Sequence, residues 1–420
     1  MSGFSAADRP LLVCISDIHL TDALHGSVVS KADQFERFWT RIQAARGHRP
    51  AQLCFVGDVF DLVRSPAWLE GRQRPYHPGD NVGVTRTVER IVTATLAREA
   101  PFFAAIRRRV QAGELEVHYV QGNHDRLLRH AKEARRAIGL ALTGRDEPIT
   151  LHRELAFPDH GVLAYHGHLS DPINFDDDGD ATIGDAIGSE LILRFPQRIR
   201  AMIGADHPAI GDIDDIDDVR PVYAVPAWVR QLGAVQRDLL RPIGQVWSEL
   251  VDEFLGNDFV SRWLRKQHKT FGLDLGKKLR LLLELSRTRI MAAAHDERLT
   301  QLYKVVQHSF DGKMSALAGQ QLSRHAGLRY VVNGHSHFAA MQPLGRLGGR
   351  PAVYFNTGTW RTVHQIGHDL GGRPSFVPYD AMSYLVMFPD GDTLGRDYEW
   401  WTGALVARNE PGHATAEGGR

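Results

Sequence analysis

The chain has 420 residues, enough for one large domain or two ordinary ones. It is 43% hydrophobic and 24% charged, and its 50 Lys and Arg equal its 50 Asp and Glu, so no global field points to nucleic acid or an anionic surface. The start, Met1-Ser2-Gly3-Phe4-Ser5, has no apolar signal core, and no uncharged apolar run approaches the ~20 residues a membrane helix needs, so a cytoplasmic protein is expected.

Leu11 to Ser16 reads as a buried strand running into Asp17-Ile18-His19. Phe35, Phe38, Trp39 and Ile42 then recur at helical spacing. Leu53 to Val56 is a second strand, ending in Gly57-Asp58-Val59-Phe60-Asp61, and Val84, Val88, Ile91 and Val92 mark a second helical face. Leu115 to Val120 leads into Gly122-Asn123-His124-Asp125, and Val162 to Tyr165 into His166-Gly167-His168. Cys14 and Cys54 lie inside the first two strands and read as buried reduced thiols acting as small hydrophobes. The alternation predicts βαβ units and a mainly parallel sheet, whose ligands bind beyond the carboxyl ends of the strands.

From about Asp171 to Ala326 the strand pattern stops and the chain reads as helical. Val246, Leu250, Val251 and Phe254 share a face, as do Leu279, Leu282 and Leu283, and again Leu299, Leu302 and Val306; Pro196 and Pro242 break the run. The acidic stretch from Asp212 to Asp218 reads as a solvated loop, with metal binding as the lesser alternative. Strands return at Tyr330 to Asn333, before Gly334-His335-Ser336-His337, and at Ala352 to Phe355, before Asn356-Thr357-Gly358-Thr359-Trp360. Ser383 to Phe388 and the extended run after Asp392 read as a hairpin. Residues 406–420 read as a disordered tail. The organisation expected is therefore a discontinuous catalytic domain over 1–170 and 327–405, with a helical insertion or cap over 171–326.

The polar residues at the strand ends are Asp17, His19, Asp58, Asn123, His124, Asp125, His166, His335 and His337. Histidine is abundant, at 21 residues, and imidazole is the commonest metal ligand. Oxygen and imidazole ligands without thiolate suit Mn, Fe, Zn, Ni or Co rather than a structural zinc site. In Asp17-x-His19 and His335-x-His337 the two side chains fall on one side of an extended segment, so each pair can reach one centre. Two ions about 3.5–4 Å apart can clamp the attacking and leaving oxygens of a displacement at phosphorus.

The ordered set Asp17-x-His19, Gly57-Asp58-x-x-Asp61, Gly122-Asn123-His124-Asp125, His166-Gly167 and Gly334-His335-x-His337 resembles the five-block signature of the calcineurin-like metallophosphoesterases, with no ligand substituted. The resemblance covers about residues 10–180 and 327–400. It implies an α/β sandwich of two mixed sheets flanked by helices. It also implies two divalent ions, with Mn first and Fe, Zn, Ni or Co as alternatives. Asp17, His19 and His337 would hold one ion and Asn123, His166 and His335 the other, with Asp58 bridging. A metal-bridging hydroxide would be the nucleophile and His124 the general acid, oriented by Asp125. Asp61 would support the loop that carries Asp58. His168 is read evenly as a substrate or metal contact or as structural. Arg126 and Arg361 flank the blocks, as phosphate holders or as plain surface arginines.

The insertion enters after His166 and leaves before His335, so it should cover the metals. Between Asp258 and Arg289 it carries nine Lys or Arg against three acids, with Trp263, Leu264, Phe271 and Leu273 interleaved. That pattern suits a small anionic phosphoester or nucleotide-diphosphate substrate, or peripheral contact with the inner face of a membrane, against an ordinary solvated basic face. The first two blocks are similar to those of UDP-2,3-diacylglucosamine pyrophosphatases, which typically carry Arg where His124 stands. They also resemble the DNA-repair nucleases of the superfamily, whose cap follows the last block. A phosphodiesterase or pyrophosphatase is the expected activity; nucleic acid ranks lower as a substrate, and a non-catalytic metal-stabilised scaffold lower still.

Overall fold

Side chains of strand β1 (Leu11–Ile15) alternate between two apolar layers, as a strand's period of two dictates. Leu11, Val13 and Ile15 face helices, whereas Leu12 and Cys14 face a second sheet. The computed structural model describes residues 9–23, 30–175, 181–220, 224–267, 275–289, 314, 316–368 and 374–407.

The first sheet has the order β13 (Tyr398–Trp401), β12 (Tyr384–Met387), β1, β2 (Ala51–Val56), β3 (Leu115–Val120). Strands β1, β2 and β3 run parallel and β12 runs against them, forming the expected hairpin with β13. The second sheet has the order β4 (Glu154–Phe157), β5 (Val162–Tyr165), β7 (Tyr330–Asn333), β9 (Arg350–Thr357), β8 (Ala339–Leu347). Its central strands β5, β7 and β9 are parallel. The two sheets meet through a buried layer that includes Leu12, Val56 and Val120 on one side and Ala164, Val332 and Phe355 on the other. Cys14 and Cys54 are neighbours in register within it, buried and unbridged.

Helices α1 (Lys31–Arg46), α2 (Val82–Arg98), α3 (Ala100–Gln111) and α4 (Lys132–Thr143) cover the outer face of the first sheet. The Ser30 side chain caps α1 by accepting from Asp33 N, and the helix buries Phe35, Phe38, Trp39 and Ile42. Phe38 packs edge-on against Trp360 and Tyr384, so Phe38→Ala would cost about 3–5 kcal/mol. A helical segment over 316–324 covers the second sheet, with Ala318 and Leu322 buried against Leu163 and Val331.

The insertion builds an apolar cluster of its own. It comprises α5 (Ile183–Ala186), a π-helical turn over Ile187–Ile192, α6 (Arg194–Ile203), α7 (Ile210–Asp214), α8 (Val225–Val235), α9 (Leu240–Gly256), α10 (Asp258–Lys266) and α11 (Leu275–Arg289). Pro242 lies in the first turn of α9, where a missing N–H costs little, and Pro196 follows the π-helical turn, where the helical ladder is already irregular. Val246, Leu250, Val251 and Phe254 are buried as one stripe of α9. Helix α10 buries Val260 and Trp263 and exposes Arg262, Arg265 and Lys266. The face of Leu299, Leu302 and Val306, and Phe271 and Leu273, lie outside the described residues.

A third sheet was not expected: β14 (Ala404–Ala407), β11 (Pro374–Ala381), β10 (Thr362–His368) and β6 (Val219–Arg220). Strand β6 has two residues and belongs to the insertion, and its parallel pairing with β10 ties the insertion to the sandwich. The expected tail begins inside β14; residues 408–420 lie outside the described set. Among the described residues, no helix is long and apolar enough to cross a membrane.

Candidate metal centre

Asp17, His19, Asp58, His335 and His337 have φ of 52, 52, 53, 76 and 63°, and they are the only non-glycine residues at positive φ among those described. Such conformations cost of order 1–3 kcal/mol each and persist only where the surroundings over-determine them. Here the main chain does so. Asp17 N donates to Gly57 O at 3.1 Å, His19 N to Asp58 O at 3.0 Å, and Thr359 Oγ1 to Asp17 O at 2.6 Å. Glycines permit the close approach of the loops: a Cβ at Gly57 would strike His166, at Gly122 Asp58, and at Gly334 Asp17.

The side chains of these loops gather in two adjoining groups. In the first, Nε2 of His19 and Nε2 of His337 lie 3.1 Å apart, at 3.7 and 3.4 Å from Asp17 Oδ1. That carboxylate oxygen is buried and accepts no hydrogen bond. In the second, Asn123 Oδ1 lies 3.1 Å from His166 Nε2 and 3.0 Å from His335 Nδ1. Asp58 Oδ2 stands between the groups, 3.1 Å from His166 Nε2 and 3.7 Å from His19 Nε2.

Outer hydrogen bonds set which nitrogen faces inward. His166 Nδ1 donates to Val56 O at 2.8 Å, which leaves its Nε2 lone pair for the centre. His335 pairs its Nε2 with Asp171 Oδ2 at 2.9 Å, which leaves Nδ1. Two imidazole lone pairs, a stripped carboxylate oxygen and a central carboxylate are a donor set that divalent ions fit. Burial would lower His166, but the Asp58 carboxylate outweighs it and pushes the ring up to about 9. Burial would raise Asp58, but His166 and His124 hold it well below the usual carboxylate range. The pocket thus attracts positive charge. His337 is the exception in the set. Arg220 Nε donates to its Nδ1 at 2.9 Å, so the neutral ring carries its proton on Nε2, where an ion would need the lone pair.

His124 lies beside the first group, its ring edge-on to His19 at 4.7 Å. Its Nδ1 is 2.8 Å from Asp61 Oδ1. Burial would lower this imidazole; Asp61 and Asp58 overcome that and raise it. The orienting carboxylate is therefore Asp61 rather than Asp125. The Asp125 side chain turns under the Asp58 loop, accepting from Phe60 N at 3.0 Å, Gly122 N at 3.2 Å and Tyr119 Oη at 3.0 Å. Burial and the charge of Asp58 push its carboxyl up to about 7.

Arg126 and Arg361 are not surface residues. Both are buried and held by insertion carboxylates: Arg126 by Asp185 at 2.7 Å, and Arg361 by Asp217 at 2.7 Å and by Asp218 through Nε at 3.0 Å. The acidic stretch is accordingly not a solvated loop. It forms α7 and a 3₁₀ turn over Asp215–Asp218, with Asp217 and Asp218 buried because Arg64 and Arg361 neutralise them. His168 belongs to neither group of donors, and its Nδ1 is buried without a hydrogen bond. Its ring lies 5.4 Å from that of His166, and burial holds it neutral.

Four contacts had no motif to announce them: Asp171, Arg64, Arg220 and Asp217. Arg64 follows Asp61 by three residues, a spacing that could have linked it to the block. Arg220 and Asp217 carry no comparable mark.

Residues 11–210 match the calcineurin-like phosphoesterase family model, from β1 to the first residue of α7 in the insertion. The matched span contains four of the five motif blocks and stops before His335 and His337. No curated protein matches the chain.

Proposed function

We propose that this chain is a calcineurin-like phosphoesterase that hydrolyses a phosphate diester or anhydride with two divalent ions. The observation that carries the reading is that, among the described non-glycine residues, left-handed backbone strain is confined to five whose side chains meet at one pocket. Asp17, His19 and His337 would hold one ion, Asn123, His166 and His335 the other, and Asp58 both. Bound ions supply Lewis-acid stabilisation of phosphate charge and a lowered water pKa.

The rest falls to the protein. His124 has Nδ1 committed to Asp61, so Nε2 is the nitrogen that gives a proton to the leaving oxygen. Asp61 holds the ring's orientation and favours its charged form. Asp125 joins the Asp58 loop to the His124 loop and so keeps the acid at a fixed distance from the pocket. Manganese suits the mixed oxygen and imidazole donors, with Fe, Zn, Ni and Co as alternatives. The finer substrate proposed is a nucleotide diphosphate, lipid-linked in the pyrophosphatases that the first two blocks resemble. The exposed cations of α10 support an anionic partner there and a cytoplasmic protein able to touch a membrane face.

The test is hydrolysis of bis-p-nitrophenyl phosphate, p-nitrophenyl phosphate and single-stranded DNA by metal-stripped protein with and without Mn. Manganese-dependent cleavage of the small diester is expected. Cleavage of DNA alone would favour a nuclease, and inert protein holding two ions a scaffold.

A further inference from the structure

One contact of the insertion leads to the general acid. His124 Nδ1 is bonded to Asp61 Oδ1 at 2.8 Å; Asp61 Oδ2 takes Nε of Arg64 at 2.6 Å; and Arg64 Nη1 is bonded to Asp217. Asp61, Arg64 and Asp217 are all buried, at 1, 6 and 8% exposure, so no solvent dilutes the series. Asp217 also takes Arg361 Nη2 through its second oxygen at 2.7 Å.

We infer that Asp217, carried by the insertion, is a positioning residue for His124, acting through Arg64 and Asp61. The inference rests on the hydrolase reading above. Its physical basis is a competition for Asp61. Arg361 Nη1 is buried, makes no hydrogen bond and lies 3.8 Å from Asp61 Oδ2. Asp217 and Asp218 hold Arg361 back by taking its other two nitrogens. Asp217 likewise holds the far end of the Arg64 fork while the near end serves Asp61. Remove the Asp217 charge and Arg64 is left with Asp61 alone, while Arg361, still bonded to Asp218, loses one of the two carboxylates that keep its Nη1 from Asp61. Asp61 then yields hydrogen-bonding capacity that His124 now uses. One ion ligand touches this series, His19, whose Nδ1 lies 3.4 Å from Asp61 Oδ2 and from Arg64 Nη2, so the metal content of each variant separates an effect on proton delivery from one on ion binding.

Proton delivery matters for a poor leaving group and little for a good one, and that difference is the readout. Asp217→Asn and Asp217→Glu are compared with wild type on a p-nitrophenyl phosphodiester and on its phenyl counterpart, with metal content and melting temperature measured on each protein. Asp217→Asn is expected to lower kcat on the phenyl ester about 10-fold or more and on the p-nitrophenyl ester less than about 3-fold, with metal content unchanged. Asp217→Glu should recover most of the loss. Equal losses on both esters, no loss, or a gain would each overturn the inference, and a gain would mark the contact as inhibitory. Should Asp217→Asn not fold, Arg64→Lys, which keeps the charge and loses the fork, takes its place with the same split expected. Wild-type protein inert toward both esters would instead sink the hydrolase reading. The positioning is then read from ¹⁵N-histidine spectra, in which Asp217→Asn must shift the His124 Nδ1 signal; an unmoved signal overturns it.

Discussion

Asp171 Oδ2 sits 2.9 Å from Nε2 of His335, although one residue opens the insertion and the other follows its end. The bond fixes the ring so that Nδ1 faces Asn123 and the centre. Carboxylates that brace a metal-binding imidazole are typically worth about 10–100-fold in metal affinity. Asp171→Ala should therefore weaken binding of one of two ions by about that factor and leave the other. Isothermal titration of stripped protein with Mn would show one step displaced; two unchanged steps would deny Asp171 this role.

His124→Ala should keep both ions and lose about 10²–10⁴-fold in kcat on a poor leaving group. Asp61→Asn should fall in the same direction by less, since it removes the support and not the acid. Asp125→Asn should differ in kind. Its carboxylate gathers three backbone N–H groups, so the loss should appear first as a lower melting temperature. Kinetics and calorimetry on the three variants separate these outcomes.

Arg220 competes with an ion for His337. Its Nε–H occupies Nδ1, so an ion can enter at Nε2 only if Arg220 withdraws and the ring's proton moves. Arg220→Ala should then tighten binding at the Asp17, His19 and His337 group, by roughly 10-fold if a single buried charge-assisted bond is released. A weaker or unchanged affinity in the same titration would show that Arg220 supports the ligand instead.

Acid stability offers a check far from the metals. Burial would raise the Asp392 carboxyl, but bonds from Arg396 and Arg49 hold it down at about 2. A depressed folded-state pKa stabilises above the unfolded value, near 4, and the benefit disappears as pH falls from about 4 to about 2. Asp392→Asn should cost on the order of 1 kcal/mol at neutral pH, and the gap to wild type should close over that interval. Melting temperatures from pH 2 to 7 would reveal it, and a constant gap would exclude the assignment.

The parallel strands were legible because both of their faces are buried, which makes them continuous apolar runs. Leu115–Val120, Val162–Tyr165 and Tyr330–Asn333 have the expected limits, with the motif residues directly after them. Asp125 was misjudged from adjacency: it follows His124, yet the backbone sends its carboxylate beneath another loop. Asp217 and Asp218 were misjudged from composition. A run of acids reads as solvated unless its cations are known, and Arg64 and Arg361 lie 153 and 144 residues from Asp217 in sequence. A two-residue strand such as β6 leaves no periodicity to detect, since only its partner defines it.

The insertion occupies the crossover between β5 and β7, two neighbouring parallel strands. Crossovers of this kind lengthen at little entropic expense and leave the ladder on either side undisturbed. Here the lengthened connection reaches back with Asp171, Asp217 and Arg220 to touch His335, Arg64 and His337. Grafting a different crossover onto the same sandwich would thus retune the His335, His337 and Asp61 contacts together while the two packed sheets stayed as they are, which makes this one segment the natural unit to exchange when redirecting the site.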